Sequence, residues 1–210
     1  MPNWCSNTVY LTGPTKKILP IYEQSKEGNF LNALMPMPEE LDITAGYLGD
    51  DDKQKELEAK QKANVEKFGE KDWYDWRVAN WGTKWDIDGD GLEYTDHGDG
   101  TSVISGWFDS AWSPPEGAYE TFLADNEDCE LEAYFYEGGC DFAGKFGDST
   151  VNPSDHKADD FLEADRASLL GQLDEEFGIG DNLKQLEDEE ELSTWMREGA
   201  ESRKQQKEIS

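Results

Sequence analysis

The chain has 210 residues, of which 36% are hydrophobic and 12% aromatic, and its 48 acidic and 19 basic side chains give a formal net charge of −29 at pH 7. So many large rings exclude an intrinsically disordered chain, because aromatic side chains bury the area that a core requires. The negative charge opposes binding to the phosphate backbone of nucleic acids and to anionic membrane surfaces. It favours basic proteins and cations as partners.

The cysteine content and the lengths of the apolar runs indicate the cellular compartment of the protein. Cys5, Cys129 and Cys140 are an odd number without a CxxC pair, which is typical of proteins in a reducing environment. No apolar run approaches the roughly 18 residues that suggest a membrane span. The N-terminal residues lack the basic and apolar regions of a signal peptide, so we expect neither a leader nor a membrane anchor.

The first half of the chain predicts a strand, a helix and a charged insertion. Residues 3–12 form a β-favouring run that a Gly-Pro pair ends, and a short helix should follow. Residues 30–41 are apolar but interrupted by two prolines, which predicts an irregular connection. Residues 50–71 are highly charged with few large apolar side chains, which indicates an exposed helix inserted into the fold.

The second half predicts a hairpin, a helix and a further hairpin. Residues 85–94 and 102–111 read as two strands joined by a glycine-containing turn. Ser113, followed by two prolines and an acid, is typical of a helix N-cap. Residues 129–137 alternate as a strand, and a Gly-Gly turn predicts that residues 141–146 pair back on it.

This element order predicts an α+β protein of the ferredoxin-like type, in which an antiparallel sheet carries two helices on one face. We assign residues 1–150 to this domain and place the charged helical insertion at about 45–78. Leucines at helical spacing predict that residues 151–210 form an acidic helical extension with a frayed end.

Four ordered motifs carry a resemblance to a known family. They read MPNWCSNTVYLTGP at the N-terminus, then MPMPEEL, then NWGTKWD at 80–86 and FDSAWSPP at 108–115. Through these motifs residues 1–150 resemble the YubB-type ferredoxin-like domain family of bacteriophages and conjugative plasmids, whose functions are largely unassigned. The resemblance implies a ferredoxin-like fold and the cytoplasm of a bacterial host, and it supplies no catalytic residue.

The residue types in these motifs favour a structural role over a chemical one. Large rings suit core packing, and the glycine, asparagine and threonine among them suit turns and backbone hydrogen bonds. The alternative is that some of the rings line a ligand or peptide groove, with Trp107 among them. The motif residues that we assign to packing are Trp4, Asn80, Trp81, Gly82, Thr83, Lys84, Trp85, Asp86, Trp112, Ser113, Pro114 and Pro115.

One local pattern resembles a calcium-binding loop. Asp86, Asp88 and Asp90 match the first ligand positions of such a loop, and a glycine follows where the chain must turn sharply. The position of the usual bidentate glutamate holds His97, and no helix pair flanks the segment. The alternative is an acidic start to a β-hairpin. We therefore expect no cofactor unless this loop holds calcium, and the sequence indicates no catalytic residue.

The acidic side chains are concentrated in the middle of the chain. Residues 85–165 contain 22 acids and two bases, a charge density that can imitate a nucleic-acid backbone. With the family resemblance, this favours an acidic, non-enzymatic binding protein of a phage or mobile element that engages a basic surface of a host protein. A nucleic-acid-mimicking inhibitor of a host defence or DNA-binding protein is its specific form. The expected contact residues are Asp125, Glu127, Asp128, Glu130, Asp155, Asp159, Asp160, Glu163 and Asp165.

Two other classes of function stay open. A carboxylate-based or metal-dependent enzyme would show activity that depends on a divalent ion. A nucleic-acid-binding module would use aromatic rings on the sheet, as ferredoxin-like RNA-binding domains do, although the net charge opposes this. The sequence favours a non-enzyme over an enzyme, and it predicts no oligomeric state.

Overall fold

The computed structural model describes the backbone of residues 3–208 and the side chains through Thr194 and at Arg197. The strands are β1 (Trp4–Pro14), β2 (Leu92–Asp96), β3 (Thr101–Ala111), β4 (Glu130–Glu137), β5 (Phe142–Lys145) and β6 (Thr150–Val151). The helices are α1 (Thr15–Ser25), α2 (Phe30–Leu34), α3 (Asp51–Phe68), α4 (Trp73–Asn80), α5 (Glu116–Asp125), α6 (Ala158–Leu162), α7 (Leu169–Phe177) and α8 (Ile179–Glu208). Two short 3-10 turns lie at Glu39–Leu41 and Pro153–Asp155.

The strands form one antiparallel sheet in the order β2-β3-β1-β4-β5-β6. The chain order β1-α1-β2-β3-α5-β4 with the spatial order β2-β3-β1-β4 is the ferredoxin-like arrangement, so the predicted α+β fold is confirmed. The central strand β1 pairs Val9 with Gly106 on one side and with Ala133 on the other. Strands β5 and β6 extend the sheet beyond β4.

Helices α1, α2 and α5 cover one face of the sheet, which we call the helical face. Side chains alternate between faces along a strand, so Val9 and Leu11 of β1 point to this side. They lie in one buried cluster with Ile18 of α1 and with Tyr119 and Phe122 of α5. Burying these side chains is the main stabilisation of the domain.

The C-terminal extension packs on the opposite side of the sheet, which we call the far face. Phe161 of α6, Leu173 of α7 and Ile179 of α8 form a second buried cluster with Tyr134 of β4 and Ala143 of β5. This cluster covers the part of the far face that β4 and β5 contribute. The part of the far face that β1, β2 and β3 form does not contribute to this buried cluster.

The charged insertion forms a helix that is largely exposed. Asp50 caps α3 by accepting hydrogen bonds from the amides of Asp52 and Lys53, and Gly69 ends the helix in the left-handed conformation. Asn64 is buried and donates to backbone carbonyls on both sides of the insertion. Helix α4 then returns the chain to the core.

Two predicted boundaries are wrong. Residues 85–91 form a loop rather than the start of a strand, because Asp86 turns inward to bind the backbone of α2 and β2 begins only at Leu92. Ser113 does not cap α5, which begins at Glu116, because its hydroxyl donates instead to the Gly82 carbonyl.

The last helix is long and mostly polar. Helix α8 continues to Glu208, whereas residues 209 and 210 lie outside the described residues, so the predicted fraying of the end stays a prediction. None of the helices within residues 3–208 combines the length and the apolar character that crossing a bilayer requires.

Candidate functional site: a tryptophan groove

The motifs at 80–86 and 108–115 pack against each other. Thr83 Oγ1 accepts a hydrogen bond from the Ala111 amide at 3.0 Å and donates to the Ala111 carbonyl at 2.9 Å. Gly82 has a φ of +89°, and a Cβ at this position would lie 3.0 Å from the Pro114 carbonyl oxygen. These contacts between the two motifs therefore hold the loop before β2 against the end of β3.

Some of the motif side chains belong to the core, as a structural role requires. Trp81 is fully buried, its indole N–H donates to the Met35 carbonyl at 2.9 Å, and its ring meets the edge of Trp76. Asn80 donates to the Trp76 carbonyl at 2.9 Å and so stabilises the end of α4. Burial and satisfied polar atoms explain these residues without any ligand.

Other motif rings are exposed and lie together. Trp4, Trp85 and Trp112 keep 49%, 36% and 39% of their surface open. The rings of Trp4 and Trp85 are 5.8 Å apart. The ammonium of Lys84 lies 4.5 Å from the centroid of the Trp85 ring and 5.7 Å from that of Trp112. Such exposed aromatic groups are typical of interaction surfaces.

A groove of about 420 Å³ opens beside these rings, between the loop 85–91 and the end of β3. Three exposed tryptophans line it, namely Trp4, Trp85 and Trp107, and Trp107 is 63% exposed. Four aspartates also line it, namely Asp86, Asp88, Asp90 and Asp109. Among the residues that the structure describes, no lysine or arginine lines this hollow, which we call the tryptophan groove.

The groove exists because β2 is shorter than β3. The Trp107 amide donates to the Gly91 carbonyl at 3.1 Å, and Ala111 bonds to Thr83, but the loop bows outward between these two points. Alternate residues of a strand direct their amide and carbonyl groups to the same edge. The peptide groups of Asp109, midway between Trp107 and Ala111, therefore face the groove.

Asp86 has a structural task at the inner end of the groove. Its carboxylate accepts hydrogen bonds from the amides of Leu31, Asn32 and Ile87 at 2.7, 3.1 and 2.8 Å, and so caps the N-terminus of α2. Burial raises the pKa of Asp86, and the three amides and the nearby Arg77 oppose that rise. Because both carboxylate oxygens are engaged, Asp86 is a poor candidate for an acid–base role.

The aspartates of the calcium-like pattern do not come together as ligands. Asp86 points inward to α2, whereas Asp88 and Asp90 are exposed on the loop. Within the described part of the chain, no group of three histidine, cysteine, aspartate or glutamate side chains is arranged to hold a metal ion. The local spacing thus resembles a calcium loop, but the fold directs its first position elsewhere.

A second hollow of about 320 Å³ lies on the other side of Trp107. Tyr10, Asp90, Glu93 and Ser105 contribute to its lining, and we call it the β2 hollow. The Tyr10 hydroxyl donates to Glu176 of α7 at 3.2 Å. The extension therefore contacts the ring that borders the β2 hollow.

The acids predicted to contact a partner are all exposed, but they fall into two groups. Four lie at the end of α5 and the start of β4, and five lie in the 3-10 turn before α6, on α6 and just after it. Asp128 pairs with Lys17, and Asp160 accepts a hydrogen bond from the Lys157 amide. None of the nine lines the tryptophan groove or the β2 hollow.

The sequence motifs indicate some residues of the groove but not others. They favour core packing for the tryptophans, with a groove that includes Trp107 as the alternative. Nothing in the sequence connects Asp109, Glu93 and Tyr10 with this surface. The missing signal is the strand register, which places Thr8 opposite Trp107 and Tyr10 opposite Ser105 on the far face.

Comparisons with known proteins leave the family open. No family model matches the chain, and no curated protein matches it. The chain is similar to the crystal structure of a protein api92 from Yersinia pseudotuberculosis, described as DUF1281, with 12% sequence identity and a TM-score of 0.36. The match covers 74% of this chain and 96% of that one. A likeness this weak carries no argument about function, and the YubB-type resemblance stays an expectation.

Proposed function

We propose that this protein is a non-enzymatic binding module that takes a cationic side chain of a basic protein partner into the tryptophan groove. One observation carries the proposal. Three exposed tryptophans and the exposed aspartates Asp88, Asp90 and Asp109 line the same hollow, and the described lining contains no lysine or arginine.

The chemistry of this lining suits a guanidinium or an ammonium group. The faces of tryptophan rings attract cations, and carboxylates form charge-assisted hydrogen bonds with them. Arginine suits the groove better than lysine, because its planar guanidinium can stack on a ring and donate several hydrogen bonds at once. The net charge of −29 would also speed the approach of a basic partner.

The nature of the partner is a narrower proposal. The charge and the family resemblance together favour a host protein met by a phage or mobile element, such as a defence or DNA-binding protein whose basic surface normally faces nucleic acid. The exposed acids at the end of α5 and on α6 would then add contacts outside the groove. This narrower proposal rests on charge and resemblance, whereas the binding of a cation rests on the groove.

Nucleic-acid binding on the same surface is the competing function. Tyr10 of β1 and Trp107 of β3 are exposed on the far face, where bases could stack on them. The charges beside these rings come from Asp90, Glu93 and Asp109, which would repel phosphates. The local charge therefore favours a basic protein over a nucleic acid.

The test is a titration of the protein with a short peptide that contains one arginine, followed by tryptophan fluorescence. A peptide with citrulline in place of arginine has the same shape without the charge, and a single-stranded RNA oligonucleotide represents the competing function. We expect binding of the arginine peptide that weakens with salt, and much weaker binding of the other two probes.

Variants locate the binding. Trp107→Ala and Asp109→Asn should each weaken binding of the arginine peptide about tenfold, which corresponds to ~1.4 kcal/mol. The matched controls Tyr47→Ala and Glu23→Gln change an exposed ring and an exposed carboxylate away from the groove, and they should bind as the wild type does. Equal binding of the citrulline peptide, or tighter binding of the RNA, would overturn the proposal.

A further inference from the structure

The tryptophan groove and the β2 hollow are neighbours that share a wall. Trp107, Asp90 and Gly91 line both of them, and the exposed ring of Trp107 stands between. Each hollow has its own carboxylate, Asp109 in the tryptophan groove and Glu93 in the β2 hollow. The surface thus offers two adjacent places for a cation rather than one.

The two hollows follow the direction of β3. The tryptophan groove lies against Asp109 and Ala111, whereas the β2 hollow lies against Ser105 and Gly106. Glu93 faces Ser105 across the β2–β3 pair, and Ser105 and Asp109 are four residues apart on one face of β3, which corresponds to roughly 13 Å. A ligand that runs along β3 would therefore meet the two hollows in succession, with Trp107 between them.

The side-chain spacing of an extended peptide matches the spacing of the two hollows along β3. Its side chains at positions i and i+4 point to the same side and are also roughly 13 Å apart. The edge of β3 at Asp109 presents peptide groups toward the groove, and an extended chain can bond to such groups with its own backbone. A helix has no free backbone groups along its length to do so.

Resting on the proposed function, we infer that the ligand is an extended segment of a basic protein with two arginine or lysine residues at positions i and i+4. One side chain enters the tryptophan groove beside Asp109, and the other enters the β2 hollow beside Glu93. The residues at i+1 and i+3 point away from the sheet, so their identity has little effect, whereas the residue at i+2 passes over Trp107. The two hollows together select ligands by the spacing of their two cationic side chains. The net charge alone cannot discriminate between ligands that differ only in this spacing.

The test compares peptides of one composition and different order. Each peptide contains two arginines in a serine and glycine background, either adjacent, two apart or four apart, and a fourth peptide contains one arginine. Calorimetry on the full chain measures the dissociation constants. We expect the i, i+4 peptide to bind about tenfold more tightly than the adjacent and i, i+2 isomers and than the single-arginine peptide.

Substitutions test whether the β2 hollow binds the second cationic side chain. Glu93→Gln should reduce the advantage of the i, i+4 peptide over the single-arginine peptide to about twofold or less. Glu23→Gln makes the same chemical change on α1, at an exposed position on the helical face, and should keep the full advantage.

The outcomes separate this inference from the proposed function. If the single-arginine peptide binds but the three two-arginine peptides have equal affinities, the inference of two spaced places is overturned and the proposed function stands. If Glu93→Gln keeps the full advantage, the β2 hollow is not the second place and the inference is likewise overturned. If no arginine peptide binds, both are overturned.

Discussion

The side chain of Thr83 makes the two hydrogen bonds to the backbone of Ala111 that a neighbouring strand would otherwise make. The hydroxyl of Thr83 accepts from the amide of Ala111 and donates to its carbonyl, at 3.0 and 2.9 Å, and both residues are buried. Thr83 thereby completes the hydrogen bonds of the last residue of β3, where β2 no longer runs alongside. This contact fixes the loop that forms one wall of the tryptophan groove.

We predict that Thr83→Val lowers the free energy of unfolding by about 2–4 kcal/mol, because two buried backbone groups lose their partner while the shape of the side chain is kept. Thr83→Ser keeps the hydroxyl and should cost only about 1 kcal/mol for the lost methyl group. Urea unfolding of the three proteins measures both values. Equal losses in the two variants would show that the hydroxyl has no such role.

Asp86 should be needed for stability rather than for metal binding. Asp86→Ala removes the acceptor of three backbone amides, and we expect a loss of about 2–4 kcal/mol in the free energy of unfolding. Asp86→Asn keeps one oxygen and should lose less. Urea denaturation measures both, and an alanine variant as stable as the asparagine variant would contradict the assignment.

The raised pKa of Asp86 predicts a pH effect. Since burial makes the folded state hold the proton more tightly than the unfolded state does, the contribution of Asp86 to stability is largest at low pH and is lost as pH rises through its folded-state pKa. The stability of the wild type relative to Asp86→Asn should therefore increase as pH falls, since other groups are common to both. A difference that does not vary with pH would refute this.

Calcium should have no specific effect on the melting temperature. The carboxylate of Asp86 is engaged by amides, and the aspartates of the loop do not converge. Magnesium at the same concentration controls for general screening of the negative charge. A rise in Tm with calcium but not with magnesium, lost in Asp88→Asn, would instead establish the calcium loop that the local spacing suggests.

Lys84 should oppose cationic ligands while stabilising the rings. Its ammonium lies over Trp85 at 4.5 Å, beside the tryptophan groove. We predict that Lys84→Met, which keeps an unbranched apolar stem, lowers the free energy of unfolding by about 0.5–1 kcal/mol. The same change should raise affinity for a single-arginine peptide about two- to fivefold, because a competing charge is removed. Weaker binding of the peptide would contradict this role.

The extension should contribute to stability through its buried side chains. Leu173 is fully buried against the far face, whereas Leu186 of α8 is 61% exposed. Leu173→Ala should cost about 2–5 kcal/mol, and Leu186→Ala should stay within about 0.5 kcal/mol of the wild type. Chemical denaturation compares the two. Equal small effects would show that the extension does not depend on this cluster.

Local patterns were sufficient for the general fold. The strand–helix order and the glycine-containing turns predicted the ferredoxin-like arrangement, and the alternation at 129–137 predicted β4. They failed at residues 85–91, where the run of Trp, Ile and Asp resembles a strand. The carboxylate of Asp86 binds amides more than 50 residues earlier in the chain, and such a partner cannot be read from neighbouring residues.

The sequence by itself determined the large negative charge, the ferredoxin-like order of elements and the presence of tryptophans in three of the four motifs. Only the tertiary structure decided which tryptophans are buried and which line a groove. Trp81 and Trp85 are four residues apart in one motif, yet one is in the core and the other is exposed. Burial depends on what long-range pairing places beside each ring. The far face also carries Asp109 and Glu93 together only because strand register aligns β3 with its neighbours.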